Sequence, residues 1–109
     1  MITAAGVLLR APSGAILLLK RSTEGDAAGQ WAFPGGKQED GETLETCAIR
    51  ETLEETGYNI GAVDSVLMRR IKDGTDYTTY VKNVDDEFTP MLNNEHVAYV
   101  WIKPSDLTA

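Results

Sequence analysis

The sequence predicts a mixed α/β or α+β sandwich, with strands on both sides of one central helix. Three observations predict it. Two runs rich in Val, Leu and Ile stand near the N-terminus, and three more strand-like segments follow residue 60. Between them, residues 43–56 contain neither Gly nor Pro. Clusters of Gly, Pro, Asn and Asp punctuate the boundaries. A chain of 109 residues holds one domain, spanning 1–109, around one hydrophobic core.

Taken in order, residues 3–10 and 15–20 read as strands, and Pro12-Ser13-Gly14 between them as a turn, so the pair predicts a β-hairpin. Residues 21–30 are polar and read as a loop. Trp31-Ala32-Phe33 reads as a short strand stopped by Pro34-Gly35-Gly36. Residues 43–56 form the clearest helix, because Leu, Glu, Ala, Ile and Arg favour that state. Gly57 suits the left-handed residue just past its end. Strands follow near residues 62–71, 77–84 and 96–102. Asp73-Gly74 and Asn93-Asn94 mark turns between them. Ser105 is placed to cap a further helix.

Composition excludes several classes. Apolar residues make up 42% of the chain and charged residues 25%, ordinary values for a globular protein. Apolar runs such as Ala15-Ile16-Leu17-Leu18-Leu19 fall far short of the roughly 20 residues that span a membrane. No basic stretch leads into an apolar core at the N-terminus, so no secretory signal is expected. One cysteine, Cys47, cannot form an internal disulfide and fits a cytoplasmic setting. A net charge of −7 disfavours general nucleic-acid binding.

That charge is uneven. Between Gly36 and Tyr58 lie seven acids and two bases, so −5 of the −7 falls in 23 residues. On a helical wheel Glu51, Glu54 and Glu55 stand at i, i+3 and i+4 and share a face. Ile49, Thr52 and Leu53 fall on the other side, where they are expected to pack into a core. Leu44, Cys47 and Ala48 lie one or two turns before the acids, which leaves a carboxylate cluster exposed near the helix end. Like charges at this spacing repel, and the helix C-terminus disfavours them further. Arg50 can pair with Glu54 at i+4 but cannot neutralise three carboxylates. Two readings fit the spacing: a solvated acidic face, or a divalent-cation site using carboxylates, water and phosphate oxygens. Gly35-Gly36 lets the backbone approach a ligand closely, offering a carbonyl to a metal or amides to a phosphate.

Taken together these residues resemble the Nudix box, G-x5-E-x7-R-E-U-x-E-E-x-G-U, with U apolar. The chain reads Gly36, five residues, Glu42, seven residues, then Arg50-Glu51-Thr52-Leu53-Glu54-Glu55-Thr56-Gly57-Tyr58. All seven fixed positions match, a coincidence with a probability on the order of 10⁻⁸ per start position at average residue usage. The segment Trp31 to Gly36 and the late Trp101 are similar to the family more loosely. Thr52 departs from the apolar residue usual there, and its methyl is expected to pack in its place.

The resemblance implies a Nudix-type α/β/α sandwich with a mixed sheet; the family commonly adds a helix after the last strand, and here either that helix is expected to be absent or the chain to be shortened. It implies a metal-dependent pyrophosphohydrolase acting on a nucleoside diphosphate linked to another moiety by water attack on phosphorus, with Mg²⁺ as cofactor and Mn²⁺ as a substitute. The alternative is a non-catalytic module of the same fold that binds metal and nucleotide. Glu54 and Glu55 would be metal ligands, and Glu51 a ligand or general base. Gly35 or Gly36 would offer a carbonyl, Arg50 would orient a catalytic glutamate, and Glu42 would support the loop. A carboxylate outside the box often joins such sites. Asp85, Asp86, Glu87 and Glu95 are candidates, with Glu95 and Glu87 preferred. Lys20, Arg21 and Lys37 are candidate phosphate contacts. Trp31, Phe33, Tyr77 and Tyr80 are candidates to stack on a base. His96, the only histidine, reads as structural, and Cys47 as a buried, inert thiol. The partner implied is a small nucleotide-type substrate, and a homodimer is compatible by analogy alone.

Overall fold

The computed structural model describes residues 1–23 and 28–108. Seven strands form one mixed sheet: β1 (Ile2–Arg10), β2 (Ile16–Arg21), β3 (Trp31–Ala32), β4 (Gly35–Lys37), β5 (Ser65–Lys72), β6 (Thr75–Asn83) and β7 (His96–Ile102). One α-helix, α1 (Leu44–Thr56), lies against β1, β4 and β6. The predicted mixed sheet around a single long helix is therefore found. The segment after β7 is a short 3-10 helix, Pro104–Thr108, with Ser105 inside it. No described helix is long and apolar enough to cross a membrane.

The expected hairpin of the first two strands is a fork. β1 and β2 pair only at Arg10 and Ile16, and then diverge. The chain from Trp31 to Lys37 closes the gap. Ala32 and Trp31 pair with Leu19 and Lys20 of β2, and Gly35–Lys37 then pairs with Ala4–Gly6 of β1. Pro34-Gly35-Gly36 is thus more than a turn, since its glycines form a strand. Away from the fork β1 runs parallel to β6 over its whole length, from Ile2↔Thr75 to Arg10↔Asn83. β2 runs antiparallel to β7. Strand β1 is covered on both faces, so Ala4, Ala5, Val7 and Leu9 are all buried, as in the central strand of a packed sheet.

The remaining boundaries follow local chemistry. Thr43 caps α1, its Oγ1 accepting from the Thr46 N–H at 3.1 Å. Gly57 ends it at φ 74°, donating to the Leu53 carbonyl. Asp73 and Gly74, at φ 52° and 78°, make the two-residue turn that joins β5 to β6. The expected loop over residues 21–30 is described only at its ends: Arg21 belongs to β2 and its N–H donates to the Gln30 carbonyl at 2.9 Å. Residues 24–27 of that loop lie outside the described residues.

One expectation for α1 is corrected. Its sheet-facing line is Ala48, Thr52 and Glu55, spaced i, i+4 and i+7, flanked by Cys47 and Thr56. Leu53, expected in the core, is 44% exposed. Glu55, expected on an exposed acidic face, is 1% exposed. Thr52 fills the usual apolar position, and its hydroxyl donates back to the Ala48 carbonyl at 2.8 Å, so nothing polar there is left unpaired. At the far edge β5 exposes Val66, Leu67, Met68 and Ile71.

Candidate active site

The acidic helix divides into two environments. In the outer one Arg50 is a hub. Its guanidinium reaches Glu39 at 3.1 Å, Glu42 at 2.7 Å, Glu51 at 2.8 Å and Glu54 at 3.3 Å. It also donates to the Lys37 carbonyl at 3.1 Å. One arginine thus ties β4 and the following loop to the helix. Glu42 receives two of these bonds and accepts from the Glu39 N–H. The Arg50 guanidinium holds the Glu42 carboxyl down at about 2, well below its ordinary range. The same carboxylates push Arg50 further above its own ordinary value.

In the inner environment Glu55 has no salt-bridge partner among the described residues. Gly35 N–H donates to its Oε1 at 2.9 Å, and Oε2 is buried without a partner. Burial first, then the nearby Glu51 and Glu95 carboxylates, push Glu55 up to about 9, against the opposing pull of the Gly35 amide. A buried, unpartnered carboxylate oxygen is costly unless something else completes it. A divalent cation does that, so the donor set fits a metal.

Two glycines make these approaches possible. A Cβ on Gly36 would stand 2.5 Å from Glu51 Cδ, so the Glu51 carboxylate lies directly over this backbone. A Cβ on Gly35 would stand 2.2 Å from the Tyr77 hydroxyl and 2.7 Å from the Ala5 carbonyl. Register also separates the two glycines. Val7 N–H bonds to the Pro34 carbonyl and Gln38 N–H to the Thr3 carbonyl. Alternation then places Ala5–Gly36 among the hydrogen-bonded pairs and Gly6–Gly35 among the others. Gly36 O also accepts from the Cys47 thiol at 3.5 Å. Gly35 is the glycine whose backbone groups β1 leaves unclaimed, and its N–H already serves Glu55.

A carboxylate from outside the box completes the inner group. Glu95 stands just before β7. Its N–H donates to Asn93 Oδ1 at 3.1 Å, and its carbonyl accepts from the Ser22 N–H at 2.9 Å. A stack of Tyr58 on Phe88 (4.2 Å) and an edge contact of Phe88 with Trp101 (5.3 Å) pin the preceding connection to the core. Ligand atoms of Glu55, Glu95 and His96 lie within 4.8 Å of one another.

Beside the carboxylates opens a cleft of about 670 Å³, within the size range of small-ligand pockets. Gly35 and Gly36 form part of its wall nearest the glutamates. Arg21, Lys37, Trp31, Phe33 and Tyr77 line the rest. Burial, followed by the negative charge of Glu55, pushes the Tyr77 phenol up to about 12, so it stays a neutral hydroxyl at physiological pH.

Comparison with known proteins agrees with this geometry. The NUDIX domain model matches residues 2–109. The chain belongs to the Nudix family. It is 33% identical to a CTP pyrophosphohydrolase of Escherichia coli, over 85% of this chain and 70% of that protein. It is 30% identical to a putative 8-oxo-dGTP diphosphatase 3 of Mycobacterium tuberculosis, over 95% of this chain. The chain spans about half the length of that relative, 53%. A crystal structure of the MutT protein from Methanosarcina mazei Go1 superimposes with a TM-score of 0.82 at 27% identity, covering 97% of this chain and 79% of that one.

Within this Nudix domain the residues singled out from sequence fall into three groups. Arg50, Glu42, Glu51 and Glu54 meet at the hub, while Glu55, Gly35 and Glu95 meet at the inner group. Arg21, Lys37, Trp31, Phe33 and Tyr77 meet in the cleft. Three expectations are not met. Tyr80 is 6% exposed and belongs to the core, not the cleft. Lys20 pairs with Trp31 and Ala98 in the sheet and is not among the cleft-lining residues. Glu87 accepts from Ser13 at 2.7 Å, and Val84 N–H bonds to the Arg10 carbonyl, so this segment sits at the β1–β2 turn, away from Gly35. Asp85 and Asp86 are exposed on that same segment. Cys47 is buried, and desolvation pushes its thiol up to about 11, so the thiolate is disfavoured. From sequence His96 reads as structural, and here it stands beside Glu55 and Glu95. Its one signal was adjacency to Glu95, and the significance of that depends on where the turn points the pair.

Proposed function

We propose that the chain is a metal-dependent pyrophosphohydrolase that cleaves a nucleoside diphosphate linked to another moiety, with a nucleoside triphosphate or a similarly compact molecule as substrate. The observation that carries this reading is continuity. The 670 Å³ cleft opens at Gly35-Gly36, where the Glu51 and Glu55 carboxylates also converge. A substrate with its base in the cleft presents its diphosphate to those carboxylates. The names of the CTP pyrophosphohydrolase and 8-oxo-dGTP diphosphatase relatives support the same chemistry.

Each residue has a task in this reading. Trp31, 46% exposed beside Phe33, offers a face for the base. Arg21 and Lys37 neutralise phosphate oxygens. Glu55, Glu54 and Glu95, with the Gly35 carbonyl, hold Mg²⁺, and Mn²⁺ substitutes. When bound there, such a cation would supply charge neutralisation at the phosphate oxygens and a lowered pKa for water. Glu51, over Gly36 and held by Arg50, takes the proton from the attacking water. Arg50 fixes the Glu51 and Glu54 carboxylates, and Glu42 fixes Arg50. The acidic surface suits a substrate that arrives with its charge already partly neutralised by cations. A reducing, cytoplasmic setting suits the single buried thiol. A homodimer is the assembly carried with this reading from the family resemblance, and sedimentation velocity tests it separately.

The test is product release across nucleoside triphosphates, oxidised nucleotides, nucleotide sugars, ADP-ribose and dinucleoside polyphosphates, with Mg²⁺ or EDTA. Metal-dependent turnover that Glu55→Gln abolishes establishes the activity and ranks the substrates. A metal-dependent rise in melting temperature without turnover on any of them would instead assign a non-catalytic metal- and nucleotide-binding module.

A further inference from the structure

Two buried side-chain atoms among the described residues have no hydrogen-bond partner: Glu55 Oε2 and His96 Nδ1. Both residues belong to the group in which ligand atoms of Glu55, Glu95 and His96 lie within 4.8 Å of one another. Burial of Glu55 and His96 is nearly complete, at 1% and 5% exposure. A folded chain rarely leaves even one such atom unpaired. Two in one three-residue cluster, one acidic and one a basic nitrogen, mark a place built around something that bonds to both.

The backbone aims His96 inward. Lys20 pairs with Ala98 and Arg21 with His96, so the register shifts by one residue and Val97 is left without a partner on β2. Exposure still alternates along β7, so His96 shares the less exposed face with Ala98 and Val100. Val97 is 56% exposed, while His96 beside it is enclosed. The Asn93 turn and the Ser22 bond hold Glu95 at the mouth, where its exposed side chain can close over a ligand. Arg21, opposite His96 on β2, adds positive charge nearby, and the Glu95 carboxylate opposes it.

We infer that Glu55, Glu95 and His96 form a mixed nitrogen–oxygen metal site that takes an imidazole-accepting divalent transition metal, Zn²⁺ being the simplest probe, in preference to Mg²⁺. Mg²⁺ is a hard ion that keeps oxygen ligands and waters. Neutral imidazole suits Zn²⁺ and its neighbours in the transition series, and carboxylates complete their shells. Two atoms each about 2.1 Å from one ion lie at most about 4.2 Å apart. The cluster therefore needs only a small contraction, which the exposed Glu95 can supply. The inference rests on the proposed function only in sharing Glu55 and Glu95; the nitrogen ligand is its own.

The single histidine makes the test direct. The 109-residue chain is prepared with ¹⁵N-labelled histidine, and the imidazole resonances are followed while metal is added. One equivalent of Zn²⁺ is expected to move the Nδ1 resonance, and Mg²⁺ at saturation to leave it in place. In calorimetry His96→Gln is expected to lower the ratio of Zn²⁺ to Mg²⁺ affinity by about 10-fold or more, the scale of losing even an outer partner of a metal ligand. Zn²⁺ binding without movement of Nδ1 overturns the inference, and so does failure to bind Zn²⁺. The wild-type spectrum decides even if His96→Gln does not fold. Mg²⁺-dependent turnover, measured on the same sample, tests the proposed function separately, so either can fail while the other stands.

Discussion

The outer and inner halves of α1 carry the same residue type and handle it in opposite ways. Glu51 and Glu54 sit where Arg50 reaches them, along with Glu39 and Glu42, and the four carboxylates share its one positive charge. Glu55, one residue beyond Glu54, faces the sheet with one amide bond and one empty oxygen. The difference separates carboxylates that Arg50 holds in place from one that the apo fold leaves short of partners. A carboxylate already satisfied by arginine stabilises the apo fold. A buried carboxyl left short of partners destabilises it, a deficit that a bound cation would recover.

The largest expected effect comes from removing the inner charge. Glu55→Gln keeps the shape of the protonated side chain and removes the group that must ionise to bind metal. Turnover should fall by two or more orders of magnitude, about the range for losing a group that acts at the reacting centre. The apo protein should melt no lower than wild type. A variant that keeps wild-type turnover would take Glu55 out of the mechanism, and one that melts much lower would remove the contrast between the two halves. Gly36→Ala is expected next in size. Its methyl would occupy the Glu51 carboxylate position, and misplacing a catalytic group by about 1 Å can cost about 10²-fold. Activity should fall sharply while Mg²⁺ still raises the melting temperature through Glu55 and Glu95.

The two halves should also separate along the pH axis, with opposite signs. The folded-state value of Glu42 lies at about 2, below its ordinary 4.5. The stability it contributes is complete above 4.5 and is lost as pH falls toward 2. Glu55 is raised from 4.5 to about 9. Across that window the folded protein holds a proton that the unfolded chain has released, so apo stability falls as pH rises. Metal must displace this proton, so metal affinity should rise with pH over the same window, with proton release detectable as a buffer-dependent binding enthalpy. Glu55→Gln should flatten the alkaline slope, and Glu42→Gln the acidic one. The idea fails if either variant alters the other's limb instead.

The outer half of this comparison was legible in the sequence and the inner half was not, for a physical reason. Caps, helix propensity and box spacing are local. Residues 43–56 and Gly57 therefore locate α1 to within a residue, and Arg50 falls within reach of Glu54 by helical geometry alone. Which side of a helix meets the sheet depends on packing. A wheel groups Glu51, Glu54 and Glu55 but does not show that Ala48, Thr52 and Glu55 form the buried line while Leu53 faces water. Strand pairing is equally non-local. Nothing in residues 1–20 announces that β1 and β2 diverge, or that Gly35 and Gly36 form a strand in the gap. Which face of β7 carries His96 inward is likewise seen only once β2 and β7 are paired.

The smallest expected effect separates two carboxylates that the sequence left level. Glu87 bonds to Ser13 at the β1–β2 turn, and both are exposed. Replacing it with Gln should change stability by no more than about 0.5 kcal/mol and leave turnover and metal affinity at wild-type levels, as for other exposed surface sites. Glu95→Gln removes a charge from the inner group and should weaken metal binding and turnover together, with little effect on apo stability because Glu95 is exposed. Metal titration of the two variants side by side reads the difference. Equal loss in both would mean that the residue 84–92 segment reaches the metal in the working enzyme. Loss in Glu95→Gln alone would limit the ligand set outside the box to residues at the head of β7, where a β-bulge and an asparagine turn hold the side chains that Arg50 does not reach.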